Sequence, residues 1–258
     1  MNQHPHLCIL TGASRGMGQA MARRLLSADR LLLCISRGTD EDLARQARTV
    51  GAGLVQWQQD LADPLTAASR LADWLAGLDA TTLASATLIN NAGMIPRIGP
   101  LDDCPPGELS AALRVGLETP MQLTAAFLRV STGWVHGGWT GVRKVLNISS
   151  GLGRRPMAAQ APYCAAKAGL DHFTRCSALD EARRPHGARL VSLAPGVIDT
   201  GMQVQLRASD PAAFPDLSRF VGLQREGQLS SPDEAARLVL AWLDRPDFGE
   251  QPVADVRD

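Results

Sequence analysis

The amino-acid sequence predicts an α/β chain: one doubly wound domain spanning residues 1–258, with helices on both faces of a mainly parallel seven-stranded sheet. Three observations predict it. Short apolar runs alternate with helical patterns, as βαβ units require. No linker-like stretch divides the 258 residues, and 45% hydrophobic content suffices for a substantial core. A glycine-rich turn, Thr11-Gly12-Ala13-Ser14-Arg15-Gly16-Met17-Gly18, separates the first apolar run from the first helical pattern.

The elements follow in order. Leu7-Cys8-Ile9-Leu10 is the unbroken apolar run of a covered parallel strand, placed at 7–11, and a helix at 17–28 follows the glycine-rich turn. Leu31-Leu32-Leu33-Cys34-Ile35 marks a second strand at 30–36, with a helix at 40–50. A third strand is expected at 54–58 and a helix at 64–77, opening on a proline, which is favoured in the first helical turn. Strand four is placed at 86–90 and a long helix at 106–130; strand five, 144–149, runs into Ser149-Ser150 and is followed by a helix at 161–182. Strand six at 189–194, a helix at 232–243 and a short strand at 252–256 complete the sheet. In such a sheet the ligand site lies at the carboxyl ends of the strands.

Composition excludes several function classes. Lys plus Arg and Asp plus Glu both number 26, so the neutral chain has no electrostatic footprint for nucleic acid or an anionic membrane, and the pairs Arg154-Arg155 and Arg183-Arg184 are too short to supply one. No apolar run approaches the roughly 20 residues of a membrane span. The first strand-like run starts at Leu7, leaving no room for a signal peptide, so a cytoplasmic location is expected. Cys8, Cys34, Cys104, Cys164 and Cys176 are odd in number and lack a C-x-x-C pair, which reads as reduced core or near-core thiols. His4, His6, His136, His172 and His186 are scattered without ligand spacing, and no metal site is expected.

The loops carry the chemistry. In the glycine-rich turn, Gly12, Ser14, Arg15, Gly16, Met17 and Gly18 can bring main chain close to a pyrophosphate seated on a helix N-terminus; the alternative is a purely structural turn. Arg37 ends the second strand, where an acid would bind a ribose 2′-hydroxyl and an arginine pairs with a 2′-phosphate. With Arg15 nearby and no competing acid, NADP is favoured over NAD; both arginines otherwise read as solvated side chains. Asp60-Leu61 stands either against an adenine edge or as the cap of the next helix. The chain's one tyrosine, Tyr163, lies four residues before Lys167, placing phenol and ammonium on one helix face. A phenol titrating near ~10 becomes a working acid or base when a cation favours its ionised form. A surface Tyr and a surface Lys are the plain alternative. Asn147-Ile148-Ser149-Ser150-Gly151 is not a G-x-S-x-G elbow, which argues against a hydrolase.

Five motifs in order then carry a resemblance: Thr11 to Gly18, Asn90-Asn91-Ala92-Gly93, Ser150 thirteen residues before Tyr163, Tyr163-x-x-x-Lys167, and Pro195-Gly196-Val197-Ile198-Asp199-Thr200. Together they resemble the short-chain dehydrogenase/reductase family, which implies a Rossmann-type fold. The resemblance implies that Tyr163 passes a proton to a carbonyl oxygen while hydride arrives from the nicotinamide. Ser150 would hydrogen-bond that oxygen, and Lys167 would lower the phenol's pKa and hold the ribose hydroxyls. Asn91, Ala92, Gly93, Pro195, Gly196, Val197 and Thr200 would border the cofactor. The family's usual helix Asn, a proton-relay residue, is replaced by Gly116, which suggests a kink or a close backbone approach. Substrate contacts are expected from Met94-Ile95-Pro96-Arg97, from 151–161, and from a lid near 200–230 that includes Met202-Gln203. The stretch Trp134 to Trp139 is expected as a surface loop at the opposite edge of the sheet.

More narrowly, Asp199-Thr200-Gly201-Met202-Gln203, Gly227-Gln228-Leu229 and Asp255-Val256-Arg257-Asp258 are similar in order and spacing to the sepiapterin reductase-like carbonyl reductases. That likeness implies an NADPH-dependent reductase of ketones or 1,2-dicarbonyls, with Asp255 pairing to a pterin's guanidine-like edge; otherwise Asp255 is a solvated acid on a chain end. A small-molecule carbonyl partner is expected, as is a homodimer or homotetramer built through helices 106–130 and 161–182. Another alcohol/ketone pair, or a non-catalytic NADP sensor, are the competing readings. The intact Ser150-Tyr163-Lys167 set opposes the sensor.

Overall fold

The computed structural model describes residues 5–258; His4 lies outside them. Seven strands, β1 (His6–Thr11), β2 (Arg30–Ser36), β3 (Gly53–Gln58), β4 (Ser85–Asn90), β5 (Val142–Ile148), β6 (Arg189–Ala194) and β7 (Val253–Asp255), form one sheet in the order β3-β2-β1-β4-β5-β6-β7. Every neighbouring pair is parallel. The chain winds one way from β1 to β3 and the other way from β4 to β7, so a crevice opens where the carboxyl ends of β1 and β4 diverge.

Helices cover both faces: α1 (Gly16–Leu25), α2 (Glu41–Val50), α3 (Pro64–Ala76), α4 (Pro106–Leu113), α5 (Thr119–His136), α6 (Ala161–Ala182), α7 (Gly201–Arg207), α8 (Leu217–Arg225) and α9 (Pro232–Leu243). Local chemistry sets several ends. The Asp40 carboxylate accepts the Leu43 N–H to start α2, and Gly51, at φ 74°, ends it. Ser231 accepts the Glu234 N–H in a capping-box sequence at the start of α9. One core packs Met21, Val239 and Phe248 against one face of the sheet; the other packs Leu71, Leu75 and Phe127 against the opposite face.

The structure corrects several expectations. The helix expected at 106–130 is broken by a π turn, Arg114–Glu118, in which the Thr119 N–H reaches back to the Arg114 carbonyl. Gly116 lies buried in that turn, and a Cβ there would stand 3.0 Å from the Ala166 Cβ of α6. The glycine thus marks both the irregularity and the close approach. The stretch from Trp134 to Trp139 is not a surface loop: α5 continues to His136, and the buried Trp139 donates Nε1–H to the Leu83 carbonyl at 2.6 Å. Its ring meets Trp134 edge-on at 5.5 Å, which caps the amino end of the sheet with apolar surface. Helix α1 stops at Leu25, three residues before the expected end. Burial pushes the Cys8 and Cys34 thiols up to about 12, as inert core groups. Cys176 instead faces outward from α6, contrary to its expected core place. Among the described residues, no helix is long and apolar enough to cross a membrane.

Candidate active site

The β1 and β4 ends are stapled by short polar contacts. Thr11 Oγ1 accepts the N–H groups of Asn91 (2.9 Å) and Ala92 (3.0 Å). Asn91 Nδ2 donates to the carbonyls of Thr11 (2.9 Å) and Gly12 (3.3 Å). Such contacts leave no space for a side chain at Gly12 or Gly18: a Cβ on Gly18 would lie 2.0 Å from the Gly12 oxygen and one on Gly12 2.9 Å from the Ala92 Cα, while Gly12 and Gly16 have φ of 72° and 55°. Among the described residues, no side chain caps α1, and its first turn carries no acid. Orphan N–H groups at a helix start, beside a main-chain cradle that a Cβ would fill, fit the diphosphate of a dinucleotide.

Arg15 and Arg37 are exposed, and both border the cavity. Asp63, not Asp60, caps α3 by accepting the Thr66 N–H, while Asp60 accepts the Ala62 N–H at 2.9 Å. The capping alternative for Asp60 therefore falls, and Asp60-Leu61 borders the cavity.

A buried amide pair fixes the other half of the crevice. Asn90 Nδ2 donates to Asn147 Oδ1 at 2.8 Å, and Asn147 Nδ2 donates to Thr174 Oγ1 at 2.9 Å. This ties β4 and β5 to α6, the helix that carries Tyr163 and Lys167 on successive turns. The Lys167 ammonium is buried, donates to the Ile148 carbonyl at 2.7 Å and lies 5.7 Å from the Tyr163 ring centre. Burial pulls Lys167 down to about 8, against the opposing field of Asp171. Burial also raises the Tyr163 phenol, while its hydrogen bond with Ser150 works the other way. In the free protein desolvation is the larger of these two effects on the phenol. Asp171 went unnoticed in the sequence; it is held by Ser192 Oγ (2.7 Å) and Arg154 Nε (3.1 Å), one helical turn beyond Lys167.

The candidate cofactor and catalytic residues, with Met202 and Asp255, border one cavity of about 1100 Å³, as do Met94 and Ile95; Pro96 and Arg97, expected as substrate contacts, do not line it. Its far wall is apolar: Ile95, Met157, Met202, Leu206 and Phe220 pack together beside Tyr163. Leu206, Phe220 and Leu223 were not anticipated, although Leu217, Phe220 and Leu223 recur every three residues, a helical signal. Asp255 is not a solvated chain-end acid: it is 8% exposed, lies in β7 and borders the cavity. The Arg257 guanidinium, donating through Nε and Nη2 at 2.6 Å each, holds the Asp255 carboxyl below the usual range.

Comparison with known proteins agrees with this geometry. The family model described as short chain dehydrogenase matches residues 6–211. A benzil reductase ((S)-benzoin forming) of Bacillus cereus is 31% identical over 245 residues, covering 95% of this chain and 96% of the relative. A sepiapterin reductase of Xenopus tropicalis is 32% identical over 252 residues, covering 92% and 91%. The crystal structure of a putative 2-deoxy-d-gluconate 3-dehydrogenase from Agrobacterium tumefaciens, with bound NADP, superposes with a TM-score of 0.76 at 26% identity, covering 98% and 95%.

Proposed function

The chain belongs to the short-chain dehydrogenase family, and on that premise we propose that it is an NADPH-dependent carbonyl reductase whose substrates are 1,2-dicarbonyls, reduced to hydroxyketones. The observation that carries this reading is the Ser150–Tyr163–Lys167 cluster facing an apolar wall inside a single cavity. Benzil and sepiapterin reductases among the relatives support a dicarbonyl or ketone substrate.

In this mechanism, the phenol of Tyr163 donates its proton to the carbonyl oxygen as negative charge develops there. Ser150 positions that oxygen by a second hydrogen bond, which strengthens as the charge grows. Lys167, anchored on the Ile148 carbonyl, stabilises the phenolate left behind. When bound, the dihydronicotinamide supplies the hydride that the carbonyl carbon accepts. The glycine-rich turn and α1 hold the diphosphate, and Asp60 and Leu61 meet the adenine. Arg15 and Arg37 hold the 2′-phosphate, and Asn91 through Gly93 and Pro195 through Thr200 border the rest. Helices α7 and α8 act as the lid and supply the apolar face that receives the substrate. Met121 on α5 and Leu179 on α6 are exposed apolar side chains, which agrees with a homo-oligomer built through those helices.

The test is to follow NADPH and NADH oxidation with benzil, sepiapterin, simple ketones and a β-ketoester. Turnover of benzil with NADPH preferred is the expected result. Activity on simple ketones or the β-ketoester alone would move the chain to another alcohol/ketone pair. Tight NADPH binding without oxidation by any carbonyl would make it a nucleotide sensor.

A further inference from the structure

Among the described residues, two acidic side chains border the cavity, Asp60 and Asp255, and of these Asp255 has its carboxylate filled by a guanidinium. Asp255 ends β7, in register with Ala194 of β6, and the chain after Ala194 enters the Pro195–Thr200 loop. Arg257 reaches back over two residues. Its Nε and Nη2 take one carboxylate oxygen each at 2.6 Å, and its own N–H adds a third bond to Oδ1 at 3.2 Å. Asp258 returns a carboxylate oxygen to the Asp255 N–H at 2.9 Å, so the closed turn is held at both ends. Arg257 also borders the cavity, although 65% of its side chain is exposed.

We propose that Arg257 sets the substrate class by occupying the carboxylate fork of Asp255, closing the site to ligands with a guanidine- or amidine-like edge and leaving it to neutral dicarbonyls. The inference rests on the carbonyl-reductase reading above and names what selects its substrate. A guanidinium and the amino/N–H edge of a 2-aminopteridine present the same pair of parallel donors, and a carboxylate has room for one such fork. Arg257 competes from two residues away, at an effective concentration on the order of millimolar or more, which a ligand must exceed to displace it. A second cation does not take over when Arg257 leaves: Arg154, the nearby guanidinium, is engaged by Asp171 at 3.1 Å and by the Ala254 carbonyl at 2.7 Å. Without Arg257, the largely buried Asp255 is left short of donors, and a ligand bringing two of them gains what the arginine supplied. A benzil-like diketone brings no donors and uses the apolar wall instead.

The test measures sepiapterin binding to the NADPH-free protein by fluorescence, together with the selectivity of the loaded enzyme, kcat/KM for sepiapterin over benzil. Arg257→Ala should tighten sepiapterin binding by about tenfold and raise the selectivity ratio by a similar factor, the worth of one charge-assisted pair. Arg257→Gln, which keeps two of the three methylenes and loses the charge, should show the same direction and replaces the alanine variant if that one fails to fold. Adding Asp255→Asn to either variant should abolish the gain. Unchanged sepiapterin binding, or a gain that survives Asp255→Asn, would overturn the proposal. Binding is read without turnover, so an enzyme that reduces no carbonyl would refute the proposed function while leaving this result interpretable.

Discussion

The two walls of the cavity are made of different material. On the glycine-rich side, main-chain atoms set the shape: Thr11, Gly12 and Gly18 meet Asn91 and Ala92 at distances that admit no further atom. On the α7–α8 side, Met202, Leu206 and Phe220 fill space by bulk alone, and apolar residues of similar volume substitute for one another there at small cost. The first wall dictates residue identity and the second dictates only character. One wall therefore suits a ligand part common to a whole family, and the other a part that varies. Tyr163 and Lys167 stand where the walls meet.

The most severe way to break the comparison is at that seam. Tyr163→Phe removes a proton donor while leaving both walls in place, so turnover should fall by a factor of about 10²–10⁴ with NADPH binding retained. Steady-state kinetics with a cofactor titration decide it, and near-wild-type turnover would take Tyr163 out of the mechanism.

Lys167 gives the next largest effect, read in stability. Its folded value, about 8, lies below its ordinary 10.5. Below pH 8 the ammonium is protonated whether the chain is folded or not, and the folded protein bears the full cost of burying it. Between 8 and 10.5 the unfolded chain holds a proton that the folded one lacks, so stability rises with pH, by up to ~3 kcal/mol. The buried Cys8 and Cys34 thiols, held up to about 12, pull the other way above about pH 9, so the signature is a difference: denaturant midpoints of the NADPH-free protein should gain on those of Lys167→Met as pH rises from 8 to 10.5. Parallel pH profiles for the two proteins would exclude a buried, depressed ammonium.

A milder change sharpens the contrast within the glycine-rich wall. Arg37 is exposed, unlike the main-chain cradle, so Arg37→Asp should leave the fold intact. It should shift the NADPH-to-NADH preference by about tenfold, as a charge-assisted contact becomes a repulsion across solvent. The ratio of kcat/KM for the two cofactors measures it, and an unchanged ratio would remove Arg37 from the 2′-phosphate site.

The same contrast explains how much the sequence revealed. Thr11 to Gly18, Asn91 to Gly93 and Tyr163-x-x-x-Lys167 were legible because backbone geometry or a fixed helical offset permits few residues at those positions. Strands β1 and β2 were legible too, since each is an apolar run whose residues are buried in succession. Phe220 and Leu206 were not read as cavity residues, because any helix with one apolar face has their pattern. The role of Asp171 depends on packing between β6 and α6, which no local spacing encodes. Arg257 stood in plain view, but its pairing with Asp255 follows from a turn after β7, not from a motif. Trp139 was misplaced for a related reason: a Gly-rich stretch reads as loop, and only the buried bond to Leu83 shows it to be an anchor.

Gly116 lies between the two cases, since its identity announced a close approach without saying to what. Its missing Cβ would meet the Ala166 Cβ at 3.0 Å, and Ala166 cannot turn aside because its methyl is fixed to the α6 backbone. Gly116→Ala gains up to ~1 kcal/mol of helix preference and loses a comparable amount to crowding, so the melting temperature should move little. The crowding nevertheless pushes on the residue next to Lys167, and turnover should fall several-fold, on the order of 1 kcal/mol in the barrier. Ala166→Gly makes room for the new methyl, so the double variant should recover most of that turnover although Ala166→Gly alone weakens α6. Additive losses in kcat across the cycle would show that Gly116 serves only the π turn and that its contact with α6 does not reach the lysine.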